Sequence, residues 1–588
     1  MSLGLNRVIY EYPLNLLADS IVDITTTATI GHFRLIDCVR YTRDQVLCIE
    51  EHEHVSGLGF EYSAISYVWR GNPAEQPVPP NNLGEFSVKG AEDGDPISLD
   101  VLHHVCAASI IEGADRLWLD RLCIIQASRD DKSWQIARMY DIYKICKVCI
   151  ILPGGINRLV SDEEETAWIT RAWTLQEVTA PKRAMVLFHW ERGAGEWEGW
   201  QGAPKGQVTE VVPEQSAMTP LHGMLKACYY PMALTWTPTN GSDICDDISP
   251  SILGSYGESS IGSLLYALEM DDPDGRAVAI WQSALLRTSS RPVDMILSIM
   301  GIFGVALDAR RFHKNDRIGA TIALAQEILK NGGKPAWLAM SLDIPPSRFL
   351  SSFPDFPTTD VSGDIRWDSR HRPVNATVDD NIYDIDELNE VDSDEERKEG
   401  EIGSNVLLPN SWVEGIPGGT MDNDGYLNIT CKAKPIFSTR EVLGKRRTTS
   451  ARNNRDILGE DSGGATSLVG TDGKIWEIPK SGTSEGQILA ASEGHTQAFV
   501  AFLGVSRKFP RDPVLQQDPR PFGGIVLPED SPLRAFAVEE HSPGRFHRSS
   551  SFMLPEEYRN SIERWQKHSF AIGGPESFPF IGTHQDLC

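Results

Sequence analysis

The stretch Leu117–Leu152, LWLDRLCIIQASRDDKSWQIARMYDIYKICKVCIIL, decides the fold class. It begins with an apolar run, Leu117–Ile125, and ends with another, Val148–Leu152, each short enough for a buried strand. Between them, apolar side chains recur from Ile136 to Cys146 at offsets of 3, 4, 7 and 10 residues, which is the spacing of one helix face. A strand, a helix and a strand in this order are typical of a parallel sheet covered by helices.

The same rhythm continues on both sides of this stretch. Tyr62–Trp69 (YSAISYVW) precedes it and Ala184–His189 (AMVLFH) follows it, and both read as short strands. Ser98 is placed to cap a helix before the first run, and a helix is predicted over Glu163–Ala180. We therefore predict an α/β fold whose N-terminal part is a flavodoxin-like parallel sheet of about 160 residues.

The rest of the chain divides by composition into three further segments. Residues 191–350 are predicted to form a mostly helical extension of a first domain at 1–190. Residues 351–401 read as a disordered acidic linker, because Asp379–Glu401 holds twelve acidic and two basic residues. Residues 402–588 are predicted to form a smaller β-rich C-terminal domain, with strands such as Gly523–Leu527 and a flexible loop at 445–466.

The charge and the cysteines exclude several classes of protein. With 82 acidic and 55 basic residues, the formal charge of −27 argues against binding to nucleic acid. Ten cysteines spread over 588 residues are too sparse for a disulfide framework, which predicts a reducing, cytoplasmic location. The longest apolar run, Met295–Leu307, is too short to span a membrane as a helix.

The common catalytic motifs are missing from the sequence. It contains no GxxxxGK[ST] phosphate loop and no HExxH zinc motif. The cluster Glu50–His54 (EEHEH) resembles a metal site only loosely, and we interpret it as an exposed polar turn. We therefore predict neither a metal nor a bound cofactor.

Position in the predicted sheet provides the candidate site. Ligands of open parallel sheets bind beyond the carboxyl ends of the strands. Trp69-Arg70 follows the first strand of the sheet, and Asp120-Arg121 lies near the end of the second. Glu177 lies on the helix after the third strand, four residues from Trp173. A carboxylate beside an indole and near arginines suits a sugar or a nucleotide. The alternative is that Trp173 anchors the helix and Glu177 is a solvated helix charge.

Four ordered blocks carry a family resemblance. They are SAISYVW (Ser63–Trp69), LWLDRLCIIQ (Leu117–Gln126), IARMYDIY (Ile136–Tyr143) and RAWTLQE (Arg171–Glu177). Together they resemble the fungal HET domain of heterokaryon-incompatibility proteins. HET domains are in turn similar to TIR domains, which have a flavodoxin-like fold, and the spacing from Trp173 to Glu177 matches a TIR pattern.

This resemblance implies a chemistry and roles for the candidate residues. In enzymatic TIR domains the corresponding glutamate serves the cleavage of NAD between nicotinamide and ribose, so Glu177 becomes the candidate catalytic carboxylate and NAD a candidate substrate. The remaining candidates would bind the dinucleotide: Trp69 or Trp173 by stacking on a ring, Arg70, Arg121 or Arg171 by meeting the diphosphate, and Asp120 by orienting an arginine. The implied biology is non-self recognition that ends in programmed cell death.

Two other interpretations stay open. In the first, the HET-like domain acts without enzyme activity, through protein contacts alone. Ile125 favours this interpretation, because the family has an asparagine at that position and its amide is lost here. Alternatively, the β-rich C-terminal region would be the recognition part and the HET part its output. Self-association or an incompatibility partner protein is implied by the resemblance.

Overall fold

The computed structural model describes residues 7–53, 61–73, 83–199, 204–229, 234–239, 246–254, 259–340, 345–356, 411–441, 465–470, 474–479, 497–508, 533–554 and 556–574. The chain divides into two compact units. Unit 1 comprises Met1–Leu268 and Leu286–Arg317, and unit 2 comprises Glu269–Leu285 and Ile318–Cys588. Residues 357–401 of the predicted linker, the strand Gly523–Leu527 and most of the loop 445–466 lie outside the described residues, and the four-segment division stays a prediction.

Unit 1 contains strands and helices in alternation. Its strands are β1 (Arg7–Pro13), β2 (Ile21–Val22), β3 (Phe33–Asp37), β4 (Val46–His52), β5 (Tyr62–Tyr67), β6 (Glu85–Val88), β7 (Ile97–Ser98), β8 (Arg116–Trp118), β9 (Val148–Leu152), β10 (Ala184–His189), β11 (Gly195–Glu198), β12 (Lys205–Val212), β13 (Ser216–Pro220), β14 (Leu234–Pro238) and β15 (Asp246–Ile248). Its helices are α1 (Leu99–Ile111), α2 (Asp120–Cys123), α3 (Arg129–Ile136), α4 (Met139–Ile145), α5 (Thr174–Thr179), α6 (Leu221–Tyr229), α7 (Ser259–Glu269, whose last residue belongs to unit 2) and α9 (Asp294–Met300); α8 (Pro273–Leu285) belongs to unit 2.

The main sheet of unit 1 is mixed. Among the described residues it has twelve strands in the order β1-β4-β3-β8-β5-β9-β10-β13-β12-β11-β14-β15. The four central strands β8, β5, β9 and β10 run parallel, as the sequence predicts, and their order along the sheet is second, first, third, fourth. The strands on both flanks pair antiparallel, so the wholly parallel sheet expected from the sequence is wrong.

Local signals explain where the elements of this core begin. The hydroxyl of Ser98 accepts a hydrogen bond from the Val101 N–H and starts α1, as predicted. The Ser128 hydroxyl caps α3 by accepting from the Asp131 N–H. The strand predicted over Leu117–Ile125 ends at Trp118, because α2 begins two residues later.

The segment after β10 differs from its prediction. We expected mostly helix between residues 191 and 350, but β11 to β15 occupy the first part and extend the main sheet. In Leu234–Pro238 the buried Leu234 and Trp236 alternate with exposed threonines, which is the period of a strand with one covered face. The helices predicted further along are present as α8, α9 and a helix over Arg317–Lys330, labelled α10.

Unit 2 is built around a closed ring of strands. Its strands are β16 (Ser411–Glu414), β17 (Gly419–Met421), β18 (Leu427–Glu441), β19 (Ala465–Val469), β20 (Lys474–Pro479), β21 (Ala498–Lys508), β22 (Leu533–Ser542), β23 (Arg545–Leu554) and β24 (Gln566–Ile572). A short helix, α11 (Arg559–Ile562), lies between β23 and β24 in the sequence. Because β18 pairs with both β24 and β21, the five strands β18, β21, β22, β23 and β24 close on themselves. The β-rich C-terminal region predicted from the sequence is confirmed.

A buried ion pair ties two elements of unit 1 together. Arg34 of β3 and Asp131 of α3 are fully buried, and the guanidinium donates to both carboxylate oxygens at 3.0 and 3.1 Å. The same carboxylate accepts the backbone N–H groups of Gly31 at 2.9 Å and Ile125 at 2.8 Å. The Asp131 carboxylate thus accepts four N–H bonds. Removing either member of the Arg34–Asp131 pair leaves the other as a buried charge without its main partner.

Replacing Asp131 by asparagine tests this pair. We expect Asp131→Asn to lower the free energy of unfolding of unit 1 by about 3 kcal/mol, because the buried Arg34 loses its bidentate partner and keeps only the Glu51 carboxylate, 3.6 Å from its Nε. Urea unfolding of the full chain, with hydrogen exchange of peptides over residues 29–37 and 120–136, measures the loss. The neighbouring Asp130 is exposed, so Asp130→Asn is the matched control. Equal unfolding of the two variants would contradict this role.

Candidate functional site

The carboxyl ends of β5 and β8 bring three of the predicted residues together. Adjacent parallel strands end at one edge of a sheet, so Trp69 after β5 and Asp120 after β8 become neighbours. The Asp120 carboxylate accepts a hydrogen bond from Trp69 Nε1 at 2.8 Å and another from the Tyr67 hydroxyl at 2.6 Å. The Arg121 backbone N–H donates a third bond at 2.6 Å.

Burial dominates the electrostatics of Asp120. Desolvation raises the pKa of its carboxyl above the usual range, although the bonds from Tyr67 and Trp69 and the charge of Arg121 oppose this change. The Asp120 backbone carbonyl also accepts from Gln126 Nε2 at 2.8 Å. The residue therefore organises its surroundings through both its side chain and its main chain.

Arg121 points into the protein. Its side chain is fully buried, and its guanidinium donates to the backbone carbonyls of Asp95 and of Ala91, the latter at 3.1 Å. The guanidinium carbon lies 5.6 Å from the centre of the Trp69 ring. Arg121 thus fastens the 91–95 loop beside Trp69.

The ends of β5 and β9 meet in a close backbone contact. The Asn72 N–H donates to the Gly154 carbonyl at 3.1 Å, and a Cβ on Gly71 would lie 1.9 Å from that oxygen. Gly155 has φ +95°, a conformation that L side chains rarely adopt. Glycines at these positions allow the two strand ends to touch beside the Trp69–Asp120 cluster.

Glu177 lies in α5 and takes part in a directed chain of hydrogen bonds. Its side chain is buried, with 8% exposed. The Ser66 hydroxyl of β5 donates to Glu177 Oε2 at 2.5 Å, and Trp168 Nε1 donates to Ser66 Oγ at 2.9 Å. Since the indole N–H only donates, Ser66 accepts on that side and turns its own proton towards the carboxyl.

The environment raises the pKa of Glu177 to about 8. Burial is the largest cause, and the negative charge of Asp120 acts in the same direction. The Ser66 hydroxyl, the positive charge of Arg287 and the Tyr143 hydroxyl lower the pKa and so limit the rise. A carboxyl that titrates near neutral pH can exchange a proton during a reaction.

The helix that carries Glu177 is shorter than the sequence predicts. A continuous helix over Glu163–Ala180 is wrong, because only a 3-10 turn at Trp168–Thr170 and α5 are helical. Between them, the Ala172 N–H donates to the Thr288 carbonyl and the Thr288 N–H donates to the Thr170 carbonyl. These strand-like bonds replace the bonds that a continuous helix would make.

The other predicted residues occupy different surroundings. The half-buried Trp173 precedes α5 and hydrogen-bonds the Asp294 carboxyl, whose pKa burial raises to about 6. Arg70 is exposed, and its Nε donates to the Asp93 carbonyl at 3.0 Å. Arg171 is half-buried, and its carbonyl accepts bonds from Arg287 and Thr174. The structure therefore gathers Trp69, Asp120 and Arg121 into one hydrogen-bonded cluster, and puts Glu177 within electrostatic range of Asp120.

Sequence reasoning missed the residues that bond to the candidates. They are Ser66, Tyr67, Tyr143, Trp168 and Arg287. A signal existed for Ser66, because a serine hydroxyl inside the buried strand YSAISY needs a hydrogen-bond partner. Arg287 is distant in sequence from α5, so no spacing rule predicts its contact with that helix.

A titration of stability tests the burial of Glu177. Its folded pKa lies above its unfolded value, so the folded state binds the extra proton and stability from this group is lost as pH rises from about 5 to 8. Glutamine stays neutral at every pH. We therefore expect the free energy of unfolding of Glu177→Gln to rise relative to that of the wild type by on the order of 3 kcal/mol between pH 5 and 8. Urea unfolding at several pH values measures the difference. A difference that does not change with pH would contradict the raised pKa.

Comparisons with known proteins agree with part of the sequence analysis. A family model described as "Heterokaryon incompatibility protein (HET)" matches residues 62–158. No curated protein and no solved structure matches the chain. Among the described residues, no group of three or more His, Cys, Asp or Glu side chains is arranged to hold a metal ion. No helix in the part of the chain that the structure describes has the length and hydropathy to cross a membrane. The matched segment contains Ser66, Trp69 and Asp120, and residues 62–158 are therefore similar to the heterokaryon-incompatibility (HET) family.

Proposed function

We propose that this chain acts in heterokaryon incompatibility as a cytoplasmic cell-death effector, and that unit 1 cleaves NAD into nicotinamide and ADP-ribose. The observation that carries the proposal is the buried Glu177 carboxyl, which accepts a hydrogen bond from Ser66 at the carboxyl edge of the parallel strands. The negative charge of Asp120 acts on this carboxyl. Ser66 and Asp120 both lie inside the segment that matches the HET family model.

The strand order supports the TIR-like part of the proposal. The four parallel strands run second, first, third, fourth, which is the beginning of the flavodoxin-like order. In such sheets the ligand crevice lies where the order reverses, outside the carboxyl ends of the first and third strands. Trp69 follows the first strand, and Gly154 follows the third.

The chemistry assigned to Glu177 is that of a carboxylate beside a cationic sugar centre. In the reaction the bond from ribose C1′ to the nicotinamide nitrogen breaks, and the electron pair leaves with nicotinamide. The ionised carboxylate stabilises the oxocarbenium-like C1′ and holds a ribose hydroxyl, and water then adds at C1′ and loses a proton. Trp69 supplies a ring face for stacking, and the exposed Arg70 supplies a cation for the diphosphate.

A non-enzymatic signalling module is the second candidate. The enclosure of Glu177 between Ser66 and the body of unit 1 favours it, because a carboxyl with 8% exposure needs a rearrangement before it meets a substrate. In that case the HET segment acts through contacts with a second copy or with an incompatibility partner. Self-association is part of both candidates, since clustering would supply the rearrangement or the signal.

NAD turnover by matched variants separates the two candidates. We expect the concentrated full-length protein to cleave NAD, and Glu177→Gln to lower kcat by about 10²- to 10³-fold, because the charge facing the transition state is lost. The kcat/KM of the wild type should rise with pH through about 8, where Glu177 of the free protein ionises. Chromatography of nicotinamide and ADP-ribose measures both effects.

The control and the cell assay complete this test. Glu163 is exposed in the same stretch of chain, so Glu163→Gln removes an equal charge and should keep the wild-type rate. The same three proteins are then expressed in fungal cells and scored for death. Absence of NAD cleavage by clustered wild type, with equal killing by Glu177→Gln, would reject the enzyme and support the contact module.

A further inference from the structure

A buried arginine from outside the family-matched segment bonds to the helix that carries Glu177. Arg287 is 1% exposed, and its Nη1 donates to Thr174 Oγ1 at 2.6 Å and to the Arg171 carbonyl at 3.0 Å. Thr174 is the first residue of α5, and Arg171 lies in the turn before it. The guanidinium therefore fixes the beginning of the helix on which Glu177 stands.

The backbone beside Arg287 strengthens this attachment. Thr288 accepts a bond from the Ala172 N–H at 2.8 Å and donates one to the Thr170 carbonyl at 2.7 Å. A bond between side chains follows six residues later, where Asp294 of α9 receives the indole of Trp173. The segment after α8 thus contacts the chain continuously from Thr170 to Thr174.

Through Thr174, Arg287 is connected to Glu177 and to Trp168, the two ends of the hydrogen-bond chain that passes through Ser66. Thr174 and Glu177 are three residues apart and share a face of α5. The Thr174 hydroxyl that accepts from Arg287 shares its own proton between the Arg171 carbonyl at 2.8 Å and the Trp168 carbonyl at 3.1 Å. The Trp168 indole in turn donates to Ser66, which donates to Glu177.

The charge of Arg287 also acts on the Glu177 carboxyl. Burial raises the pKa of Glu177 most, and the guanidinium opposes that rise. Among the main influences on this carboxyl from the described residues, the charge of Arg287 is the positive one. The other titratable groups that face it from neighbouring elements are Tyr67 of β5, Asp120 of α2, Tyr143 of α4 and Cys149 of β9.

We propose that Arg287 is a positioning residue of the Glu177 site, which orients the carboxyl by fixing Thr174 and the start of α5. The inference rests on the proposed function for the chemistry that Glu177 performs. It extends the site beyond residues 62–158, because Arg287 belongs to the later part of unit 1. A HET segment without residues 286–317 would lack this cation.

Three variants of the full chain test the proposal. Arg287→Gln removes the charge, Arg287→Lys keeps the charge but loses the planar fork, and Arg291→Gln removes an exposed charge from the same segment as the matched control. The Glu177 titration midpoint is followed by ¹³C NMR of protein labelled at the glutamate side-chain carboxyls, with Glu177→Gln assigning the signal. NAD turnover is measured across the same pH range.

A positioning role predicts a specific pattern. Arg287→Gln should raise the Glu177 midpoint by about 0.5–1 pH unit and move the rise of NAD cleavage to higher pH by the same amount. Arg287→Lys should keep the wild-type midpoint and lower kcat, and Arg291→Gln should match the wild type in both. A purely structural role of Arg287 would lower stability without moving the midpoint.

The possible failures are distinguishable. An unchanged midpoint in folded Arg287→Gln overturns the positioning role, whether or not NAD is cleaved. Absence of NAD cleavage by every protein rejects the proposed function, while the NMR titration still decides the role of Arg287. If Arg287→Gln does not fold, Thr174→Val removes the hydroxyl that receives the guanidinium, and an unshifted midpoint there overturns the proposal equally.

Discussion

A carboxyl group that folding removes from water must keep hydrogen-bond donors, and for Glu177 the donor comes from inside the central sheet. Ser66 occupies β5 between its two parallel neighbours, and its proton is directed to the carboxyl because Trp168 donates to the same oxygen. This arrangement requires the strand, the 3-10 turn and α5 to meet at one point. The position of the candidate site is therefore a consequence of where β5 puts a hydroxyl.

Buried guanidinium groups fasten the loops around this point. Arg34 donates to the Cys123 carbonyl at 2.8 Å, Arg121 to the Ala91 carbonyl, and Arg287 to the Arg171 carbonyl. Loop carbonyls lack the partners that a helix or a sheet provides, so a fork of five N–H donors satisfies several of them at once. The loops after β6 and β8 and the turn before α5 are held by charges that come from distant parts of the sequence.

The sequence predicts the central strands well because their signals are local. Val148–Leu152 and Ala184–His189 have the bounds expected from their apolar runs and flanking turns. Strand direction is different, since it depends on the pairing of distant segments such as β10 with β13. The missed strand Leu234–Pro238 carried a visible alternation, whereas the break in the helix predicted over 163–180 depends on Thr288, about a hundred residues away.

The candidate site, too, is predictable from the sequence only in part. The proximity of Trp69 and Asp120 follows from the rule for carboxyl ends of parallel strands, and their side chains are hydrogen-bonded. The burial of Glu177 does not follow from its place four residues after Trp173, because that spacing also suits a solvated helix charge. Its role in catalysis stays a prediction.

The raised pKa of Glu177 constrains how the proposed chemistry would start. A carboxyl with a pKa of about 8 is mostly protonated at neutral pH, and a neutral acid stabilises an oxocarbenium-like centre poorly. The nicotinamide ring of NAD carries a positive charge, and a cation beside a carboxyl favours its ionised form. Substrate binding would therefore release the proton that the empty site retains. In this scheme the cost of burying Glu177 is offset only when the dinucleotide is present, which couples occupancy of the site to its activation.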